Sequence, residues 1–415
     1  MADFLNDVAH ATKAMRALFP ATPLQKNEYL SDKFSAEIYL KREDLSPVRS
    51  YKIRGAFNAM SKALASGDKP KVFVCASAGN HAQGIAFACK HFGVKGVVFM
   101  PVTTPGQKIN KTAAFGGKFI EIRLEGDYFD ETLVAAQKYA KSADGVFLPP
   151  YDSVDVIEGQ ASVVHEIREQ LSKPIDYMIF PVGGGGLSSG SLKYYGACDT
   201  QPEIRLVEPM GGRSLHAALE NGGLVTLPTV DNFVDGAAVA RIGDNNFEVL
   251  KQTSADHVLG VDENRLCATI LELLNVEGIV LEPAGALTVD ALKDMTDEIA
   301  GKRIVCVTSG GNFDFERLPD VKERALRFEG LKKYLILRLP QRPGALKDFL
   351  NLLGPEDDIA RFEYLKKSAR NFGSVLIGIE TSAKGGFESL FDRIDKAGFT
   401  FRDITDDETL AEFLV

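Results

Sequence analysis

The sequence predicts an α/β protein followed by a smaller α+β domain of ferredoxin-like layout. Three observations carry this. Residues from about 36 to 310 alternate short β-branched runs with amphipathic helical patterns, the alternation expected of a parallel sheet covered by helices. Several of those runs are apolar on both faces, as strands between two helical layers are. Near Phe328 the order becomes β-α-β-β-α-β over about 85 residues, the split-βαβ arrangement at the size of one small domain.

The elements follow in order. Strands are predicted at KVFVC (71–75), GVVFM (96–100), KFIEIRL (118–124), YMIFPV (177–182), EIRLVE (203–208) and RIVCVT (303–308), with helices at 129–142 and 262–274. Asn80 and His81 open a further helix after KVFVC. In the C-terminal part LKKYLILRLP reads as a strand. PGALKDFLNLLG is a short helix with Pro343 near its start and Gly354 past its end. Strands are expected at 359–367 and 373–381. A second helix carries Phe387, Leu390, Phe391, Ile394 and Ala397 at helical spacing and stops at Gly398, before a last strand, FTFRDI. ERALRFEG is the join, so the expected domains are 1–329 and 330–415.

Composition narrows the function. The 415 residues are 45% hydrophobic and 25% charged, ordinary for a globular enzyme and too long for one core. A net charge of −9 argues against nucleic acid or an anionic membrane as partner. No apolar run approaches the ~20 residues that cross a bilayer, and the N-terminal MADFLNDVAHATKAM lacks the apolar stretch of a signal peptide. The five cysteines are scattered and odd in number, with no C-x-x-C pair. A reducing cytoplasm is expected, with neither disulfides nor structural zinc.

The chemistry collects where strands end. FPVGGGGLSSG sets Gly183, Gly184, Gly185 and Gly186 between an apolar strand and a helix-like stretch, 187–196. Linkers do not usually sit there; bare backbone at a helix N-terminus suits phosphate better. No Lys-Ser/Thr follows, so nucleoside triphosphates are disfavoured. Serine stands where a dinucleotide fingerprint has its third glycine. REDLSPVRSYKIRGAF carries Lys52 at the compact entry to a helix. A lone lysine is usually solvated, but one partly buried beside a helix N-terminus has a lowered pKa and becomes nucleophilic. A lysine plus a phosphate cup is what pyridoxal phosphate needs, a Schiff base at one end and an anion site at the other. VCVTSGGNFD ends another strand, and Ser309 offers a neutral hydroxyl to a ring nitrogen. In CASAGNHAQGIAFACK small residues turn the chain where a strand ends, the place at which open α/β sheets set their ligands, whereas His81 reads most simply as a histidine bonded to backbone.

SYKIRGA, ASAGNHAQG, GGGGL, EPAGA and TSGGN occur in the order found in fold-type II pyridoxal-phosphate enzymes, the tryptophan synthase β-like fold of two α/β subdomains. Over nearly the whole chain the sequence resembles threonine dehydratase (threonine ammonia-lyase) of the biosynthetic type, in its short form with one C-terminal ACT-like domain. The resemblance implies a carbon–nitrogen lyase that deaminates L-threonine to 2-oxobutanoate and ammonia at the first step of isoleucine biosynthesis. Isoleucine would be the allosteric inhibitor, and the assembly a homo-oligomer, a tetramer by preference. It assigns Lys52 as the Schiff-base lysine and base at the substrate Cα. Asn80 would bond the cofactor 3′-oxygen, and Gly183 to Gly186 with Leu187 the phosphate. Ser309 would meet the pyridine nitrogen; Tyr51 and Gly236 would flank the ring. Ser77, Ala78, Gly79, Asn80 and His81 would hold the substrate carboxylate. Ala78 stands where related serine racemases have a serine. Glu208 matches a cation-site position of relatives, but VEPMGGRS departs from the metal-binding version and no metal is assigned. Rival readings are β-replacement as in cysteine synthase, threonine synthase, which needs a second phosphate site, serine dehydratase, and a nucleotide-binding regulatory protein without catalysis.

Overall fold

The apolar runs up to Phe313 become the strands of two sheets. The structure is a computed structural model and describes residues 2–66, 70–365, 372–383 and 385–407. The chain divides into one unit of Met1–Glu263 with Leu273–Phe313 and another of Asn264–Glu272 with Asp314–Val415.

In the first unit the strands are β1 (Leu24–Lys26), β2 (Glu37–Arg42), β3 (Phe73–Ala76), β4 (Gly96–Met100), β5 (Ile120–Leu124), β6 (Val146–Phe147), β7 (Tyr177–Pro181), β8 (Glu203–Pro209), β9 (Val258–Val261) and β10 (Arg303–Thr308). One sheet has the order β1-β2-β10-β7-β8-β9 and the other β5-β4-β3-β6. All pairs are parallel except β1 with β2. The smaller sheet shows why its strands read as apolar on both faces. Phe73, Cys75, Val98 and Met100 pack with Ile85, Ala88 and Cys89 of the helix Asn80–Phe92. Val74, Val97 and Phe99 pack with Ala136 and Ala140 of the helix Phe129–Ser142. In the larger sheet Met178, Phe180, Val305 and Val307 share a core with Val163, Val164 and Ile167 of the helix Val154–Gln170.

The predicted strands at 96–100 and 303–308 are found at those limits. The run at 71–75 is displaced to Phe73–Ala76, because Phe73 is its first residue laddered to β4. Lys118 and Phe119 lie in a 3-10 turn before β5. The helix expected at 262–274 runs Glu263–Glu277.

In the second unit the order is β11 (Lys332–Pro340), a helix Ala345–Leu350, β12 (Asp357–Leu365), β13 (Phe372–Thr381), a helix Gly386–Lys396 and β14 (Thr400–Asp403). The sheet order β12-β13-β11-β14 is antiparallel throughout, the ferredoxin-like pattern predicted. Leu335, Leu337, Val375, Ile377 and Ile379 form its core with Phe387, Leu390 and Ile394. The first helix is shorter than PGALKDFLNLLG suggests, since Gly344 precedes it at φ +82°. Residues 366 and 367 of the strand expected at 359–367 lie outside the described residues, as do the last eight of the expected second domain.

Candidate active site

The C-terminal ends of β3, β7 and β10 carry the predicted motifs, at the place where open α/β sheets bind ligands. Lys52 is the first residue of the helix Lys52–Ala65. The entry is pinned on both sides: Ser50 bridges Gly310, and Tyr51 N donates to Ser309 O at 3.1 Å. Half a turn on, Arg54 is fully buried and holds Glu43 and Glu166 at 2.8 Å each. Glu166 also meets the buried Lys41 at 2.7 Å. Burial alone would raise the Glu166 carboxyl, but Arg54 and Lys41 hold it well below the carboxylate range. The Lys52 Nζ donates to Pro150 O at 3.0 Å. Burial lowers its pKa to about 8, with the Glu282 carboxylate pulling weakly the other way.

From Lys52 the contacts run in a closed ring. Pro150 is followed by Tyr151, whose aromatic ring lies so close to Gly184 that a Cβ there would come within 2.3 Å of it. Gly185 takes φ +93° and caps the helix Gly186–Tyr195, a conformation other residues enter at a cost of ~1–2 kcal/mol. Asn246 holds the loop from behind, donating to Gly184 O at 2.8 Å while accepting from Ser189 Oγ at 2.7 Å. Gly183 backs onto Ala237, and Gly236 onto Ala284. Ser309 Oγ donates to Ala284 O at 3.2 Å, and Ser309 O returns the path to Tyr51. Leu187 is buried in the main core. Lys52 with Tyr51, the glycine loop, Gly236 and Ser309 are thus brought together from four separate segments.

The loop after β3 stands beside this ring. Gly79 N donates to Ser77 Oγ at 3.2 Å. A Cβ on Gly79 would meet nothing within 4 Å, so open space lies over the loop. The helix starts at Asn80, and its first N–H groups have no intrahelical acceptor. Asn80 Nδ2 donates to Glu282 Oε1 at 2.6 Å. His81 is buried, with Nε2 3.0 Å from Leu148 O. Burial and then Lys52 lower its pKa to about 4, so it is neutral at physiological pH. Ala78 packs its methyl against the small-sheet core.

Three features of this place suit pyridoxal phosphate. The N–H groups of Gly184, Gly185 and Gly186 take no backbone acceptor among the described residues, which leaves a cup for an anion at a helix N-terminus. Ser50 Oγ and His81 Nδ1 are buried polar atoms with no partner among the described residues. Lys52 is poised to lose its proton near neutrality.

Sequence reasoning missed Glu282, Tyr151, Asn312 and Lys111. Glu282 lies within EPAGA, but nothing in that string says that its carboxylate reaches Asn80. Burial, then Asp235, push its pKa up to about 7, against the bond from Asn80 and the charges of Lys108 and Lys111. Glu208 is also placed: its two oxygens accept from Leu215 N at 2.7 Å and His216 N at 3.0 Å, so it caps the helix Ser214–Glu220.

Residues 16–310 match the family described as pyridoxal-phosphate dependent enzyme. Residues 323–414 match the C-terminal regulatory domain of threonine dehydratase. The chain is 42% identical to the biosynthetic L-threonine dehydratase of Halalkalibacterium halodurans over 99% of both chains. It is 45% identical to that of Bacillus subtilis, over 99% of this chain and 98% of the relative. Among solved structures, the processed threonine deaminase isoform 2 of Solanum lycopersicum is similar at a TM-score of 0.72 and 35% identity, covering 78% of this chain and 87% of that one. With a lysine, a glycine cup and a split-βαβ unit in one chain, and these relatives along its whole length, the protein belongs to the pyridoxal-phosphate dependent enzymes, in the family of biosynthetic threonine dehydratases.

Proposed function

We infer that this chain deaminates L-threonine to 2-oxobutanoate and ammonia, the entry reaction of isoleucine biosynthesis. The observation that carries the reading is the closed ring from Lys52 through Pro150, Tyr151, the glycine loop, Gly236 and Ser309 back to Tyr51. Lys52 on this ring would take the aldehyde of a ligand, the glycine loop its phosphate, and Ser309 with Tyr51 the aromatic ring between them. Bound there, pyridoxal phosphate withdraws electrons from the substrate α-carbon and acidifies its C–H.

The chain's own residues do the rest. The N–H groups of Gly183 to Gly186 and Leu187 would bind the phosphate, and Asn80 the 3′-oxygen. Ser309 would address the ring nitrogen once its hydroxyl turns from Ala284 O, while Tyr51 and Gly236 flank the ring. The backbone from Ser77 to His81, at a helix N-terminus, would orient the substrate carboxylate. With its pKa lowered to about 8, the Lys52 Nζ has a neutral fraction at physiological pH that can take the α-proton. Neutral His81 adds no charge beside it. The net change is loss of ammonia: the β-hydroxyl leaves as water, and one water hydrolyses the resulting imine to the oxo acid, so no net water is consumed.

The C-terminal unit is the regulatory domain, and we assign isoleucine as its effector and a homotetramer as the assembly, both from the resemblance. We place the domain boundary at 329/330, after the helix Leu318–Phe328. Cytoplasm is the compartment we assign. Its support is five free cysteines; among the described residues no helix is long and apolar enough to cross a membrane.

Purified protein supplied with L-threonine and pyridoxal phosphate should release an oxo acid, and borohydride should bleach its yellow colour and leave the label on Lys52. Lys52→Ala should fold and lose the reaction. Oxo-acid release near the unsubstituted rate by that variant would remove Lys52 from the mechanism.

A further inference from the structure

Asn312 closes the TSGGN motif, and its three hydrogen bonds give it a task. Lys111 Nζ donates to its Oδ1 at 2.5 Å. Its Nδ2 donates to Val48 O at 2.9 Å and to Asn80 Oδ1 at 2.6 Å. An ammonium only donates and a backbone carbonyl only accepts. Lys111 and Val48 therefore decide between them which end of the Asn312 amide is oxygen and which is nitrogen, a choice that in general only the bonding network can make. The nitrogen end faces Asn80. Asn80 must then turn its oxygen toward Asn312 and its NH2 to the other side, where one hydrogen goes to Glu282 Oε1 at 2.6 Å. The second hydrogen of that NH2 has no acceptor among the described residues. The chain Lys111, Asn312, Asn80, Glu282 runs in one direction, from a donor-only cation to an accepting carboxyl, and each bond polarises the next.

We propose that Asn312 is a positioning residue for the cofactor: it sets the amide of Asn80 so that an N–H, not a carbonyl, is offered to the cofactor 3′-oxygen. This rests on the reading of Asn80 given above. The task is separate from that of Ser309 three residues earlier, and it ties four segments, at 80, 111, 282 and 312, to one atom of the ligand.

Asn312→Asp keeps the shape and offers only oxygens. Lys111 gains an ion pair, which offsets the bond to Val48 O that a carboxylate cannot make. Asn80 must turn its NH2 toward the new carboxylate and set its own oxygen against Glu282. In the full-length protein, stripped and reconstituted with pyridoxal phosphate, the cofactor dissociation constant should rise about tenfold, the loss expected for one bond to a charged group. The visible absorption maximum of the bound cofactor should shift with it, while the unfolding temperature of the cofactor-free chain stays unchanged. Asn80→Ala should weaken the cofactor comparably. Tight binding by Asn80→Ala removes the reading of Asn80 itself. Weak binding by Asn80→Ala, with an unchanged dissociation constant and spectrum in Asn312→Asp, overturns the role of Asn312 alone. If Asn312→Asp lowers the unfolding temperature, Asn312→Ala decides by the same two readouts: a partial rise with a shifted spectrum supports the proposal, and no change in either overturns it.

Discussion

Lys52 must be held firmly enough to meet a substrate and dry enough to give up a proton, and one arrangement provides both. The ammonium is lodged against Pro150 O at the start of its helix, and losing water favours the neutral amine. Its pKa falls from 10.5 to about 8. Below about pH 8 the amine is protonated and cannot attack; above it the amine is free. The pH profile for labelling Lys52 in the cofactor-free protein by an amine-directed reagent should therefore have its midpoint near 8, and a midpoint near 10.5 would show a solvated side chain. Because the folded chain releases this proton before the unfolded one, the same residue makes the cofactor-free fold more stable as pH rises from about 8 to 10.5. Lys52→Met should flatten that rise in denaturation measurements. Ala78 bears on stereochemistry. By the resemblance it stands where a racemase has the proton donor for the face opposite the lysine, and a methyl group has no proton to give. No D-serine or D-allo-threonine should form from the L-amino acids, and Ala78→Ser should produce a trace. Chiral chromatography after long incubation reads both, and substantial D-product from the unsubstituted enzyme would reveal a second acid. Lys52 was legible because its string is local. Glu282 and Asn312 were not, since their partners Asn80, Lys111 and Val48 lie far away in sequence.

At the scale of elements, the strand and helix pattern was legible wherever burial follows hydropathy, as in β4 and β10, whose limits were predicted. β2 shows why the rest was not. Its sequence ends in two cations, yet Lys41 is wholly buried, its charge met by Glu166 and its remaining hydrogens by Thr22 O and Gln170. That pairing exists only once the helix Val154–Gln170 lies against the sheet. The same cluster anchors the helix carrying Lys52, through Arg54. Replacing Arg54 by Met leaves Glu43 and part of Glu166 buried without their cation, a loss of ~3–5 kcal/mol. Urea denaturation should register it as a lower midpoint. The glycine loop tests packing on the other side of the ring. Gly184→Ala sets a Cβ into the Tyr151 ring, and crowding of this kind costs ~1–3 kcal/mol. Since Tyr151 neighbours the acceptor of Lys52, the variant should also lose cofactor affinity, measured by absorbance titration. Retention of both stability and affinity would show that Tyr151 moves aside freely.

The whole molecule joins an active unit to a separate ferredoxin-like unit with its own hydrophobic core, and that division argues for control. A domain fold alone does not give a function, and the bland alternative is that residues 330–415 serve assembly only. An effector alters activity only as far as it binds one state of the enzyme better than another. If isoleucine raises the threonine concentration for half-saturation tenfold by shifting binding, it prefers the weak-binding state by ~1.4 kcal/mol, and threonine must weaken isoleucine binding by the same factor. In the full-length enzyme isoleucine should inhibit at low threonine and be overcome at high threonine, and equilibrium dialysis should show isoleucine binding weakened to the same degree by a non-reacting threonine analogue. Deleting 330–415 should leave deamination, restored where necessary by added pyridoxal phosphate, and abolish the response to isoleucine. Inhibition that survives the deletion would place the effector site in the catalytic unit. Indifference to isoleucine at every threonine concentration in the intact enzyme would leave assembly as the task of the second unit. The deletion is what separates the two readings: isoleucine competing with threonine at the substrate site would also be relieved by threonine and would obey the same reciprocity, but its inhibition would persist without residues 330–415.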